Sequence, residues 1–183
     1  MSIQVFQAHK EHEHYAQAIS DLIYDASQAK DSGLAQRTPE YILKKMREGK
    51  AVIALASNGD IAGFCYIDTW QRGAFVATSG LIVNPAYRGL GLATQLKKAA
   101  FELARKLFPQ ATIFGLTTSE AVMKINADLG YRAASYAKLT TDDAFWKGCE
   151  SCVNFDILQR TNRTVCLCTG MIYDPEEKKE IRN

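Results

Sequence analysis

Hydrophobic residues change their period several times along the chain, and each change marks an element. Residues 2–8 alternate around Ile3 and Val5, before Phe6, and predict a short strand. Tyr15, Ile19, Leu22 and Ile23 then recur at helical spacing, so an amphipathic helix is expected as far as about Lys30. Thr38-Pro39-Glu40 offers a capping hydroxyl, a proline suited to a first turn, and an acid at the positive end of the helix dipole. A second helix follows, with Tyr41, Ile42 and Met46 on its apolar face and Gly49 at its end. From Ala51 the pattern is that of strands. Residues 51–56 and 61–67 flank Asn58-Gly59, a pair that tolerates the positive φ of a tight hairpin. Gln71-Arg72-Gly73 makes another turn, and residues 75–83 form a third strand closed by Pro85. Leu92, Leu96, Leu103 and Leu107 mark a long helix that Pro109 stops. Residues 111–117 read as a buried strand, and Thr118 or Ser119 caps a short helix ending at Gly130. Residues 131–139 and 164–172 are expected to be the last two strands, with an insert between them.

The resulting order, β-α-α-β-β-β-α-β-α-β-β, predicts an α/β (α+β) fold with a mixed central sheet whose early strands form an antiparallel meander. One domain is expected over residues 1–183, with a core at 1–139 and a cysteine-containing insert and last strand at 140–183. Net charge is only +2, with no long basic run, which weighs against nucleic acid as a partner. No apolar stretch approaches a membrane span, and Met1-Ser2-Ile3-Gln4-Val5 lacks the pattern of a secretory signal. A cytoplasmic location is the expectation, and the five cysteines then read as thiols or metal ligands rather than disulfides.

Chemistry concentrates at one junction: Leu81-Ile82-Val83-Asn84-Pro85-Ala86-Tyr87-Arg88-Gly89-Leu90-Gly91-Leu92-Ala93-Thr94. A strand ends, a glycine-rich turn follows, and a long helix begins. Helix N-termini carry unpaired N–H groups and a partial positive charge. Gly89 and Gly91 have no Cβ, so a phosphate can come close to the backbone. A β-to-α loop that happens to hold two glycines is the plain alternative. Neither G-x-x-x-x-G-K-[ST] nor G-x-G-x-x-G with its distant acid is present.

These residues resemble the GNAT superfamily of N-acetyltransferases. Its signature [RQ]-x-x-G-x-[GA] follows a strand ending in Val-x-Pro; here Arg88-x-x-Gly91-x-Ala93 follows Val83-Asn84-Pro85. Leu129-Gly130-Tyr131 resembles the family's second signature, Leu-Gly-Phe. The resemblance implies acetyl-CoA or another acyl-CoA as co-substrate. The N–H groups of Arg88, Gly89, Leu90, Gly91, Leu92, Ala93 and Thr94 would hold its pyrophosphate. The strand at Leu81, Ile82 and Val83 would run along the pantetheine arm, with the Leu81 N–H as oxyanion donor. Lys97, Lys98 or Lys124 would meet the outer phosphate, unless they are solvated helix faces.

Two family groups are missing. Where some members carry a glutamate before the signature, this chain has Ala77-Thr78-Ser79-Gly80, which leaves Asp68 as the nearest candidate base. Where many carry a tyrosine that protonates the departing thiolate, this chain has Asn126, which can only hydrogen-bond the sulfur. Cys149-x-x-Cys152 and Cys166-x-Cys168 have spacings suited to a structural zinc site. On a regular strand, however, Cys166 and Cys168 would lie about 7 Å apart at Cα, wide for one tetrahedral ion. Buried free thiols and a redox pair stay open beside the metal. Cys65 reads as core, and His9, His12 and His14 as solvated or capping residues.

The expected activity is transfer of an acyl group, acetyl first, to a primary amine of a small metabolite such as an amino acid, by direct attack. A protein amine as acceptor, a non-catalytic acyl-CoA sensor and a zinc-dependent interaction protein are the competing readings. A homodimer is a further expected partnership.

Overall fold

The computed structural model describes residues 2–29 and 31–180. Its strands are β1 (Ile3–Gln7), β2 (Ala51–Ala56), β3 (Ile61–Trp70), β4 (Phe75–Val83), β5 (Thr112–Thr117), β6 (Arg132–Ala133) and β7 (Thr169–Tyr173). They form one sheet in the order β1-β2-β3-β4-β5-β7-β6. Only the β4–β5 pair is parallel. The helices are α1 (Ala16–Ser27), α2 (Pro39–Arg47), α3 (Leu92–Leu107), α4 (Glu120–Asp128), α5 (Asp143–Lys147), α6 (Phe155–Arg160) and α7 (Pro175–Glu180). The mixed sheet and its antiparallel meander are as the hydrophobic pattern predicts.

Local chemistry sets several of these boundaries. The Tyr41 N–H donates to Thr38 Oγ1 at 3.3 Å and starts α2. Ser119, not Thr118, caps α4, accepting from the Val122 N–H at 3.3 Å. A 3-10 turn over Lys10–Tyr15 precedes α1, and the His9 N–H donates to His12 Nδ1 within it. Helix α1 stops at Ser27, and Lys30, its expected end, lies outside the described residues.

Side chains alternate across the sheet and build two faces. On one face Leu92, Leu96, Ala100 and Leu103 of α3 pack against Val52, Cys65, Val76 and Ile113; Cys65 is core, as expected. On the other face Ile19, Ile23, Ile42 and Met46 of α1 and α2 cover Ile53, Phe64, Tyr66 and Ile82. Farther along, Trp146 and Leu158 of the insert, with Tyr136 and Leu139 just before it, cover Ala77, Phe114 and Ile172.

The C-terminal third departs from expectation. Residues 131–139 are strand only at Arg132–Ala133; a 3-10 turn over Tyr136–Lys138 follows, fixed where the Tyr136 hydroxyl donates to Cys168 O at 2.6 Å. Residues 164–172 are not one strand either. Asn162 and Arg163 have φ of 50° and 61°, the chain loops, and pairing begins only at Thr169. Cys166 and Cys168 therefore sit in a loop. The insert folds into α5 and α6, which the hydrophobic pattern did not reveal.

Candidate active site

The β4–β5 pair opens partway along its length. Pairing runs through Phe75–Thr112, Val76–Ile113 and Ala77–Phe114 and then stops. From Thr78 to Val83 the β4 edge facing away from β3 has no strand beside it. β4 also bulges there. Phe64 faces Ile82 and Tyr66 faces Ser79, so two steps on β3 match three on β4. The extra residue falls at Gly80-Leu81, and Gly80 has φ +64°. A Cβ on Gly80 would lie 2.4 Å from Tyr66 Cε1, so only glycine fits. Leu81, at the bulge, lines the opening.

A cavity of about 550 Å³ occupies this opening; Thr78, Ser79, Gly80, Leu81, Lys97 and Leu116 line it. A second cavity, about 470 Å³, lies on the sheet face covered by α1, α2 and the insert. Gly33, Leu34, Ser79, Gly80 and Leu116 line both, so the two cavities meet at the bulge. Gly33 closes the junction from above: a Cβ there would strike Cys168 Sγ at 2.6 Å.

The glycine-rich turn lies at the start of α3. Gly89 and Gly91 have φ of +78° and +72°, and a Cβ on either would meet nothing within 4 Å. The first N–H with a helical partner is that of Gln95, to Gly91 O at 3.3 Å. The N–H groups of residues 89–94 have no acceptor among the described residues. Arg88 and Thr94 are exposed beside them. Six unpaired donors and open space at a helix N-terminus fit a pyrophosphate. A strand edge without a partner fits an extended amide-bearing arm.

The second cavity is polar at one end. Arg37 donates from Nε to the Tyr66 hydroxyl at 2.7 Å and from Nη1 to Gln36 O and to Gly148 O. No carboxylate pairs with it among the described residues. Tyr66 is 1% exposed; burial pushes its phenol pKa up, with Arg37 opposing. Asp68 is fully engaged. Its Oδ2 lies 2.6 Å from Lys45 Nζ and accepts from the Tyr41 hydroxyl at 2.7 Å, while Oδ1 accepts from the Thr69 N–H. Burial alone would raise the Asp68 pKa, but the Lys45 ammonium and these hydrogen bonds hold it below the usual value. Trp70 also lines this cavity, with its indole N–H buried and without an acceptor among the described residues.

Several expected residues sit elsewhere or behave differently. Asn126 is 1% exposed and lines neither cavity; its Nδ2 faces Met171 Sδ at 3.6 Å and its Oδ1 is unpartnered. Its side chain turns into the core rather than towards either cavity. Asp68, the candidate base, lines the second cavity with its side chain 13% exposed. Lys98 and Lys124 are solvated, paired with Glu102 and Asp128. Lys97 is not: it is 3% exposed and points into the β4–β5 opening.

The four clustered cysteines give the metal expectation no support. Cys149, Cys152, Cys166 and Cys168 all line the second cavity as free thiols. Among the described residues no group of three or more His, Cys, Asp or Glu is placed to hold an ion. Burial, with the neighbouring cysteines adding to it, pushes the Cys149 thiol up to about 11 and the Cys168 thiol up to about 12. They are wall groups that stay protonated at neutral pH.

Sequence reasoning did not single out Arg37, Tyr41, Lys45 or Trp70. Arg37 precedes a helix cap and carries no motif. Lys97 had a usable signal, since it falls four residues after Ala93 and three before Ala100, on the flank of the apolar stripe of α3.

The sequence profile of the Acetyltransferase (GNAT) family matches residues 17–124. No curated protein matches the chain. Among solved structures it is similar to N-acetylglutamate synthase from Neisseria gonorrhoeae complexed with coenzyme A and N-acetyl-glutamate, with TM-score 0.66 and 18% identity. That match covers 95% of this chain but 35% of the synthase, so the chain spans about a third of that protein's length. A phosphinothricin acetyltransferase from Sinorhizobium meliloti in complex with acetyl-CoA matches with TM-score 0.64 and 14% identity, over 95% of this chain and 89% of that one. The yncA protein of Salmonella typhimurium with its cofactor acetyl-CoA has TM-score 0.64 and 15% identity, over 96% and 95%. At these identities the likeness shows the fold. No described helix is long and apolar enough to cross a membrane.

Proposed function

Because the chain belongs to the acetyltransferase (GNAT) family, we propose that it transfers the acetyl group of acetyl-CoA to the primary amine of a small carboxylate-bearing metabolite, an amino acid. One observation carries this reading. A slot through the sheet and a separate cavity on one face meet at Ser79, Gly80 and Leu116, where a thioester and an amine would be brought together.

On the donor side, the free N–H groups of residues 89–94 would hold the pyrophosphate, with Arg88 at their edge. The open β4 edge at Leu81, Ile82 and Val83 would pair with the pantetheine arm. The Leu81 N–H, at the bulge, would donate to the thioester oxygen as negative charge builds there. The coenzyme supplies an activated carbonyl and a thiolate leaving group. On the acceptor side, Arg37 is a buried-side guanidinium with no acidic partner, and a substrate carboxylate supplies one. The acetyltransferases of Neisseria and Sinorhizobium named above, one an N-acetylglutamate synthase and one a phosphinothricin acetyltransferase, support an amino-acid-like acceptor.

Proton removal from the amine does not run through Asp68 on this reading. Its charge is neutralised by Lys45 and its oxygens are occupied. Asp68 instead holds Tyr41 and Lys45 in place at the cavity wall. The amine enters as the free base or loses its proton to water.

The test is a screen of L-amino acids with acetyl-CoA, reading thiol release. Acetylation of at least one amino acid, with its carboxylate-free amine a much poorer acceptor of higher KM, supports the proposal. Coenzyme binding with no thiol release from any acceptor would refute it and favour an acyl-CoA sensor.

A further inference from the structure

Lys97 is a buried cation with no anion beside it. Its Nζ donates to Thr78 Oγ1 at 2.6 Å and to Thr78 O at 3.4 Å. Ala77–Phe114 is the last β4–β5 pair, so Thr78 O is the first carbonyl beyond the fork. On the β5 side, Gly115 leaves room: a Cβ there would sit 3.6 Å from Nζ. Lys97 thus reaches up from α3 to the apex of the opening and lines the cavity in which the coenzyme arm would lie. The groups facing it are the Thr78 hydroxyl, the Tyr131 hydroxyl 3.5 Å beyond that, and the Cys65 thiol of β3. Asp31 lines the same cavity, and on α3 Lys98 and Glu102 pair outward. None of these carboxylates forms an ion pair with Lys97. A lysine at a helix position otherwise filled by apolar packing is expensive unless it does something there.

Resting on the acetyl-CoA reading above, we propose that Lys97 is the acid of this active site, giving the departing coenzyme sulfur its proton. Asn126, turned into the core, does not fill that task. The thioester C–S bond breaks, its electron pair stays on sulfur, and one proton passes from Lys97 Nζ to that sulfur. An acceptor ammonium loses two protons in becoming an amide N–H. One restores the Lys97 ammonium and the other goes to solvent. Burial holds the Lys97 pKa below the ordinary lysine value, which brings it closer to that of a thiol.

The coenzyme thiol reports on Lys97 without turnover, because its thiolate absorbs in the ultraviolet. CoA bound to the native protein should titrate about one pH unit or more below CoA bound to Lys97→Met, since a cation within reach stabilises the thiolate. Lys97→Met should bind CoA within about threefold of native and lose roughly 100-fold or more in thiol release from acetyl-CoA. Lys97→Arg should keep the lowered thiol titration yet remain slow, because a guanidinium does not release its proton. Identical thiol titrations in native and Lys97→Met, or undiminished thiol release by Lys97→Met, overturn the assignment. If Lys97→Met does not fold, the native protein decides alone: bound CoA that titrates no lower than free CoA refutes it. Failure of CoA to bind the native protein would instead refute the acetyl-CoA reading itself.

Discussion

Replacing Arg37 with methionine tests the acceptor side of the site. The guanidinium lies on the cavity wall, held by Tyr66 and Gly148 O, with no carboxylate partner. A substrate carboxylate about 4 Å away, at an effective dielectric of about 20, would gain about 4 kcal/mol. Desolvation takes back part of this. If about 2–3 kcal/mol survives, KM for the amino acid rises roughly 30- to 150-fold in Arg37→Met. Because the carboxylate is bound equally before and during the reaction, kcat should change little. The substitution also removes the donor to the buried Tyr66 hydroxyl, costing about 1–2 kcal/mol of stability. That loss must be measured separately by thermal unfolding. The assay is steady-state acetylation of the best amino acid from the screen, beside its carboxylate-free amine, in native and variant protein. A KM for the amino acid within about threefold of native, or an equal loss for both acceptors, would refute the placement of the carboxylate at Arg37.

Gly80→Ala should destabilise the fold by about 3 kcal/mol, since its Cβ strikes Tyr66 at 2.4 Å and its φ is positive. Thermal unfolding should show a fall in Tm of roughly 6–12 °C. Asp68→Asn should cost about 2 kcal/mol near neutral pH, because Lys45, 2% exposed, loses its 2.6 Å partner and keeps only Glu48 at 3.7 Å. The folded pKa of Asp68 is depressed, so its contribution is present above the unfolded value and is lost as pH falls through the folded one. Acid titration of stability should therefore fall more steeply below about pH 4 for native than for Asp68→Asn. Cys149, with its thiol at about 11, should react with iodoacetamide at pH 7.5 roughly 300-fold more slowly than a free cysteine of pKa about 8.5. Mass spectrometry of the labelled protein measures that rate, and it should climb about tenfold per pH unit towards pH 11.

Where the hydrophobic period was regular and the capping signals were local, the fold was legible. The meander from Ala51 to Val83, the Thr38-Pro39 start of α2 and the Leu92–Leu107 helix follow from neighbours in sequence. Residues 131–139 misled because Tyr136 is apolar for a tertiary reason, its ring over the insert and its hydroxyl on Cys168 O, rather than through strand alternation. The segment before Thr169 misled because positive φ at Asn162 and Arg163 leaves no compositional mark. In the site, the glycines at 89 and 91 were readable because a phosphate cradle is built from consecutive backbone groups. The acceptor wall was not, because Tyr66, Asp68 and Trp70, alternate residues of β3, meet Arg37 from the distant segment before α2, where no motif marks it. Lys97 was misread as a solvated or phosphate-facing lysine. Charge argued for the surface, whereas its helical phase beside Ala93 and Ala100 placed it inside.

The most direct test of the coenzyme site is a calorimetric titration of CoA into native protein and into Gly91→Trp. A side chain at Gly91 points into open space, so the fold should survive with a loss of about 1–2 kcal/mol from the positive φ. It would fill the space a pyrophosphate needs beside the free N–H groups of residues 89–94. Native protein should bind CoA, and the folded variant should bind it at least about 100-fold more weakly, as expected from losing two charge-assisted hydrogen bonds. Equal affinity in the two proteins would contradict the placement of the coenzyme at this turn.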